Sequence, residues 1–102
     1  MPIVHALDLE LDTVRQTVKR DGRVIELSPT EYRIIEYLAL RPGAIVSKDE
    51  LREHMHRSPW KHPSNVIEAH MSNLRKKLDA AGKTQLIETF RNRGYRFCEG
   101  KV

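Results

Sequence analysis

Two arginines, Arg91 and Arg93, stand two residues apart between β-forming runs at 86–90 and 95–98, and Gly94 beside them relaxes the backbone. A hairpin tip with two guanidinium groups suits phosphates or a narrow minor groove, whose potential favours Arg. A hairpin kept soluble by charge looks the same. A second set appears when residues 64–80 are projected as a helix at about 100° per residue. Asn65, Ala69, Ser72, Asn73 and Lys76 share one side, with Val66 at its edge; Arg75 and Glu68 lie on one flank, His70 and Lys77 on the other. Short side chains in the middle let a helix approach a major groove, flanking cations meet phosphates, and an Asn such as Asn73 can bond bidentately to adenine. An ordinary amphipathic surface helix carries the same pattern.

Other chemistry is thin. His54 and His56 are two residues apart, which points them to different sides of a helix, and no HExxH spacing exists, so no metal site is expected. Asp8, Glu10 and Asp12 alternate along one run and read as the solvated side of a strand rather than a carboxylate cluster. The five glycines build no phosphate-cradling loop, and no G-x-S-x-G elbow occurs. His70 reads as a hydrogen-bonding group at a helix margin rather than a base. Trp60, in a loop flanked by prolines, reads either as a cap on the core or as a partner contact. Cys98 reads as a passive small hydrophobe. No cofactor and no catalysis are expected.

The elements that must position these residues follow from pattern. Leu7, Leu9 and Leu11 alternate with the acids, Val14 and Val18 follow, and Asp21-Gly22 marks a tight hairpin before Val24-Ile25-Glu26-Leu27. Ser28-Pro29-Thr30-Glu31 is a capping box with Pro at the first helical position. The helix it opens carries Tyr32, Ile35, Leu38 and Ala39 inward, with Ile34 and Tyr37 widening the stripe, and stops at Arg41-Pro42-Gly43. Ile45 and Val46 leave room for a very short strand. Ser47-Lys48-Asp49-Glu50 reads as a second capping box, starting a helix that passes Leu51 and Met55 to about His56. Prolines in 57–63 prevent its continuation. A third helix starts at Pro63 or Ser64, turns Ile67, Met71, Leu74 and Leu78 to the core, and reaches about Ala80 before Gly82. The order is strands, helix, short strand, helix, loop, helix, hairpin. That is α+β, a winged helix-turn-helix arrangement.

Length and charge agree. A chain of 102 residues suits one domain, here 1–102 with its core at about 5–98. The net charge is +4, yet residues 1–63 hold 10 basic and 10 acidic side chains, so the whole excess falls in 64–102, with 8 against 4. A one-sided basic field points to an anionic partner such as nucleic acid, less often an acidic membrane surface. No apolar run approaches the ~20 residues of a membrane helix, and the start lacks a basic, then long apolar, signal. The single cysteine is compatible with the cytosol, and a cytoplasmic location is expected.

Several runs together resemble one family: Leu27-Ser28-Pro29-Thr30-Glu31-Tyr32, Arg41-Pro42-Gly43, Val46-Ser47, Ser64 through Leu78, and Ile87-Glu88-Thr89-Phe90-Arg91-Asn92-Arg93-Gly94-Tyr95-Arg96-Phe97. The chain is similar over about 5–98 to the OmpR/PhoB-type winged-helix output domain of bacterial two-component response regulators. The resemblance implies a four-stranded N-terminal sheet, three helices and a C-terminal hairpin wing. It implies that the third helix reads the major groove, the wing (about 90–95) contacts the adjacent minor groove, and loop 57–63, with Arg57, Trp60 and Lys61, touches RNA polymerase. Carried over by position, the DNA-contacting residues are Asn65, His70, Ser72, Asn73, Arg75, Thr89, Arg91, Arg93 and Tyr95; the helical projection adds Ala69 and Lys76. The family binds direct repeats as tandem dimers, so a tandem homodimer on one operator is implied.

Three positions depart from the family pattern. Asn73 stands where Arg is frequent, which alters the expected base preference. Asn92 stands where Gly is frequent, which predicts a less tightly turned wing tip. His56 stands where an aromatic, often Trp, is usual. A receiver domain with a phosphoacceptor Asp is absent from these residues, as in a domain cut from a longer regulator or a stand-alone DNA binder. The expected function is sequence-specific double-stranded DNA binding for transcription regulation. The rival is a winged-helix module that docks RNA polymerase or another regulator without binding DNA; a small nuclease lacks a convergent acid–base or metal set.

Overall fold

The computed structural model describes residues 3–56, 66–82 and 85–98. Four strands, β1 (Ile3–Ala6), β2 (Leu9–Asp12), β3 (Thr17–Arg20) and β4 (Arg23–Ile25), form an antiparallel sheet in chain order. Helices α1 (Pro29–Ala39), α2 (Lys48–His56) and α3 (Val66–Ala80) follow, with β5 (Ile45–Val46) between the first two. The chain closes on the hairpin β6 (Ile87–Phe90) and β7 (Gly94–Phe97). β7 lies between β5 and β6, so the short strand ties the start of α2 to the wing.

The N-terminal sheet is built by alternation, with a parity break that the sequence pattern concealed. Leu9, Leu11, Val18 and Ile25 face the core. Leu7 does not: Ala6 pairs with Leu9, so Leu7 and Asp8 form the turn between β1 and β2, where Leu7 takes φ +55° and is 45% exposed. The extra strand β1 accounts for the difference, because a turn at 7–8 ends one strand and restarts the next in a new register. Asp8 leaves the expected solvated row for the same reason and pairs with Arg20. Val14 and Val24 are exposed, the first in a turn and the second on the outer face of β4. Asp21 and Gly22 both adopt left-handed backbone between the paired Arg20 and Arg23, as a two-residue hairpin turn requires.

Helix α1 starts at the expected cap. The Glu31 N–H donates to Ser28 Oγ at 3.1 Å, and the Ser28 N–H donates to Glu31 Oε1 at 2.9 Å. In α2 the Ser47 hydroxyl accepts the Glu50 N–H at 3.0 Å, but the Glu50 carboxylate turns to accept the Tyr37 hydroxyl at 2.6 Å, which couples α2 to α1. Tyr32, Ile34, Ile35 and Leu38 from α1 meet Leu51 from α2, Ile67, Met71, Leu74 and Leu78 from α3, and Leu86, Ile87 and Phe97 from the hairpin. These side chains are buried, each contributing roughly 1.5–3 kcal/mol by leaving water. The stripe expected on α3 is therefore its core face. Among the described residues no helix is long and apolar enough to cross a membrane.

Candidate nucleic-acid interface

With one stripe of α3 in the core, the opposite side is open. Ala69, Ser72, Asn73 and Lys76 are exposed, and His70 is half-buried at the margin. Asn65, Arg57, Trp60 and Lys61 lie outside the described residues, as do Pro63 and Ser64, where the sequence pattern places the helix start.

The flanking cations are not free for phosphates in the way the helical projection suggests. Arg75 reaches across to β6, donating to the Ile87 carbonyl at 3.0 Å and to the Thr89 hydroxyl, with its guanidinium 5.6 Å from the centre of the Tyr95 ring. Lys77 donates to Glu31 Oε1 at 2.7 Å, the same buried carboxylate that completes the α1 capping box. Burial pushes the Glu31 carboxyl up, but the Lys77 and Ser28 hydrogen bonds outweigh it and hold the pKa below the usual carboxylate range. Glu68 pairs with Lys48 of α2 at 2.7 Å; that hydrogen bond lowers the Glu68 pKa and raises that of Lys48. Tyr95, expected among the contacting groups, is only 5% exposed, so it packs beneath Arg75 rather than standing out on the wing. Thr89 is exposed with its hydroxyl occupied by Arg75.

At the wing tip, Arg91, Asn92 and Arg93 are all exposed. The expected loosening at Asn92 does not occur. Asn92 takes φ +64°, a conformation Asn tolerates, and the Arg93 N–H donates to the Phe90 carbonyl at 2.9 Å, closing the turn. Gly94 has a different duty. At φ +134° it lies so close to β5 that a Cβ there would fall 2.0 Å from the Val46 carbonyl oxygen. Only glycine permits this crossing of wing and short strand. Among the described residues, Lys76, Arg91 and Arg93 have no ion-pair partner.

Between the wing and the start of α2 runs a cleft of about 410 Å³, lined by Lys48, Arg52, Thr89, Phe90, Arg91 and Arg93 among others. Lys48 and Arg52 were not singled out from the sequence. Their spacing of four residues, one helical turn, was the available signal that they share a face of α2. No group of three or more His, Cys, Asp or Glu among the described residues is arranged to hold a metal.

Comparison with known proteins agrees with this layout. The family model described as transcriptional regulatory protein, C terminal, matches residues 22–97. The two-component response regulator PhoP of Pseudomonas aeruginosa is 35% identical over 96 residues, covering 94% of this chain and 43% of that protein. The phosphate regulon transcriptional regulatory protein PhoB of Rhizobium meliloti is 34% identical over 92 residues, 86% of this chain and 39% of that protein. The chain thus spans about two fifths of the length of these curated relatives. The DNA-binding domain of the response regulator AdeR, solved in complex with an intercistronic region, superimposes with TM-score 0.83 at 28% identity, covering 95% of this chain and all of that one. The RstA DNA-binding domain of Klebsiella pneumoniae, solved with the RstA box, gives TM-score 0.80 at 28% identity over 96% of this chain and 98% of that one.

Proposed function

Since the chain belongs to the family of transcriptional regulatory protein C-terminal domains, we propose that it reads double-stranded DNA with α3 in the major groove and the β6–β7 wing on the adjacent minor groove and its phosphates. It is a winged-helix DNA binder of transcription regulation, in a family of regulators rather than of enzymes. One observation carries the proposed geometry: a small, polar helix face (Ala69, Ser72, Asn73, Lys76) stands beside an exposed arginine tip, and Arg75 bonds the two elements together. The small residues let the helix approach base edges. Asn73, Ser72 and half-buried His70 are the base-reading candidates on the described part of α3, and Asn65 extends the set by its place in the sequence. Lys76, Arg91 and Arg93 supply the salt-sensitive attraction. Arg75, Thr89 and Tyr95 set the angle between helix and wing.

The 102 residues act as a single reading unit, and two copies seat in tandem on a direct repeat. Segment 57–63, with Arg57, Trp60 and Lys61, is the part offered to RNA polymerase. Such a regulator works in the cytoplasm, where chromosomal DNA is. The test is enrichment of duplexes from a random pool, followed by mobility shifts with the enriched and a random duplex. A preferred sequence, bound in two steps on a repeat, supports the reading; no shift with any duplex at low salt and micromolar chain sinks it.

A further inference from the structure

Arg20, on β3, is 0% exposed, the largest fully buried side chain among the described residues. Arginine is almost never so buried without partners. Its Nε lies 3.1 Å from each carboxylate oxygen of Asp8, and a terminal nitrogen donates to the Leu78 carbonyl at 2.7 Å. Leu78 belongs to the last turn of α3, where its carbonyl accepts only a 3.2 Å, 3₁₀-type bond from the Ala81 N–H and the helix dipole is negative, so a guanidinium is a fitting second donor. Gly82, just past the helix, makes the seat: a Cβ there would fall 2.3 Å from Arg20 Nε.

Other ties hold α3 as well: Lys48 and Glu68 form a surface pair, 43% and 50% exposed, Lys77 reaches the buried Glu31 from a 42% exposed position, and Arg75 bonds the Ile87 carbonyl toward the wing. The Arg20 bond to Leu78 is buried, charge-assisted and of fixed direction. It sits five residues beyond Asn73 and two beyond Lys76, roughly 8 Å and 3 Å along the axis. We infer that Arg20 is a positioning residue for sequence reading: by joining Asp8 of the N-terminal sheet to the Leu78 carbonyl, it fixes the pose in which α3 presents Ser72 and Asn73 to base edges. This rests on the DNA-reading geometry proposed above. The N-terminal sheet then has a part in specificity through a bond, Arg20 to Leu78, that is itself buried.

The probes are the duplex enriched by the unaltered chain and a random-sequence duplex of the same length. Arg20→Met keeps bulk and removes the bonds. At a temperature where circular dichroism shows it folded, its affinity for the enriched duplex falls about tenfold, while that for the random duplex stays within about twofold. A purely structural role lowers the melting temperature and leaves that ratio unchanged in the folded chain, which overturns the inference. Gly82→Ala keeps the charge and pushes the guanidinium off its seat; it lowers the ratio by about threefold or more. Should Arg20→Met not fold, an unchanged ratio in Gly82→Ala overturns the inference by itself. If the unaltered chain shifts no duplex, the DNA-reading geometry fails, and the inference with it; if it discriminates and both variants do too, only the inference fails.

Discussion

Arg75 of α3 and Thr89 of β6 are joined by a guanidinium–hydroxyl hydrogen bond, backed by a second bond from Arg75 to the Ile87 carbonyl at 3.0 Å. These two bonds tie the helix to the wing at one residue. In a double-mutant cycle of Arg75→Met and Thr89→Val, scored on enriched-duplex binding, the losses are non-additive by about 0.5–1.5 kcal/mol. Strictly additive losses mean that the two elements act independently.

Asn73 lies mid-face on α3, exposed, and carries an amide of the kind that can pair bidentately with adenine. Asn73→Ala shifts the sequence preference and costs about 1–3 kcal/mol on the preferred duplex. Binding to random sequence is nearly unchanged. Selection with both proteins checks this, and an identical consensus refutes it.

Arg91 at the wing tip has no ion pair among the described residues, so its charge is available to phosphate. Arg91→Ala weakens binding on every sequence and lowers the slope of log K against log salt by about 1. If about 5 phosphates are neutralised per copy, the unaltered slope lies near −4 to −5. Titration across a salt series measures both numbers; equal slopes remove the wing from the phosphate contacts.

Gly94 is fixed by both its φ of +134° and the Val46 carbonyl behind it. Gly94→Ala forces β7 from β5, destabilising the chain by about 2–3 kcal/mol and lowering the melting temperature by about 10 °C or more. Gly22→Ala, in the open β3–β4 turn with nothing within 4 Å, bears backbone strain alone and melts closer to the unaltered chain. Thermal melts of the two rank them.

Glu31 gives acid sensitivity. Its folded pKa lies below the ordinary value of about 4.3, because Lys77 and Ser28 donate to the carboxylate against the opposing effect of burial. Around that pH the unfolded chain binds the proton more readily, so stability rises with pH there. The Glu31 contribution is complete above the unfolded pKa and is lost as pH falls through the lower, folded one. Denaturant midpoints from pH 6 to pH 3 fall more steeply for the unaltered chain than for Glu31→Gln, and parallel curves contradict the assignment.

Much of this was legible in the sequence where the signal is local. The capping box at Ser28 and Glu31, the α3 stripe of Ile67, Met71, Leu74 and Leu78, and the turn before Gly94 depend on neighbours within a few residues. What stayed hidden depends on distant neighbours. A helical projection gives the direction of Arg75 and Lys77 but not that Thr89 and Glu31 wait there. Tyr95 follows the wing in sequence, yet β5 and Arg75 cover it. Strand β1 and the turn at Leu7 escaped because apolar alternation continued across a break in pairing. Arg20 carries no local signal of its burial, since its seat is made by residues some sixty positions later.

The commitment of Arg75 and Lys77 to internal partners bears on the search for a site. Of the cations on the described part of α3, Lys76 alone stays unpaired and exposed, so this helix offers a wrong sequence little to cling to. On the proposed reading geometry, dwell time on non-cognate duplex is expected to be short and release and rebinding frequent, so that more DNA is sampled per unit time.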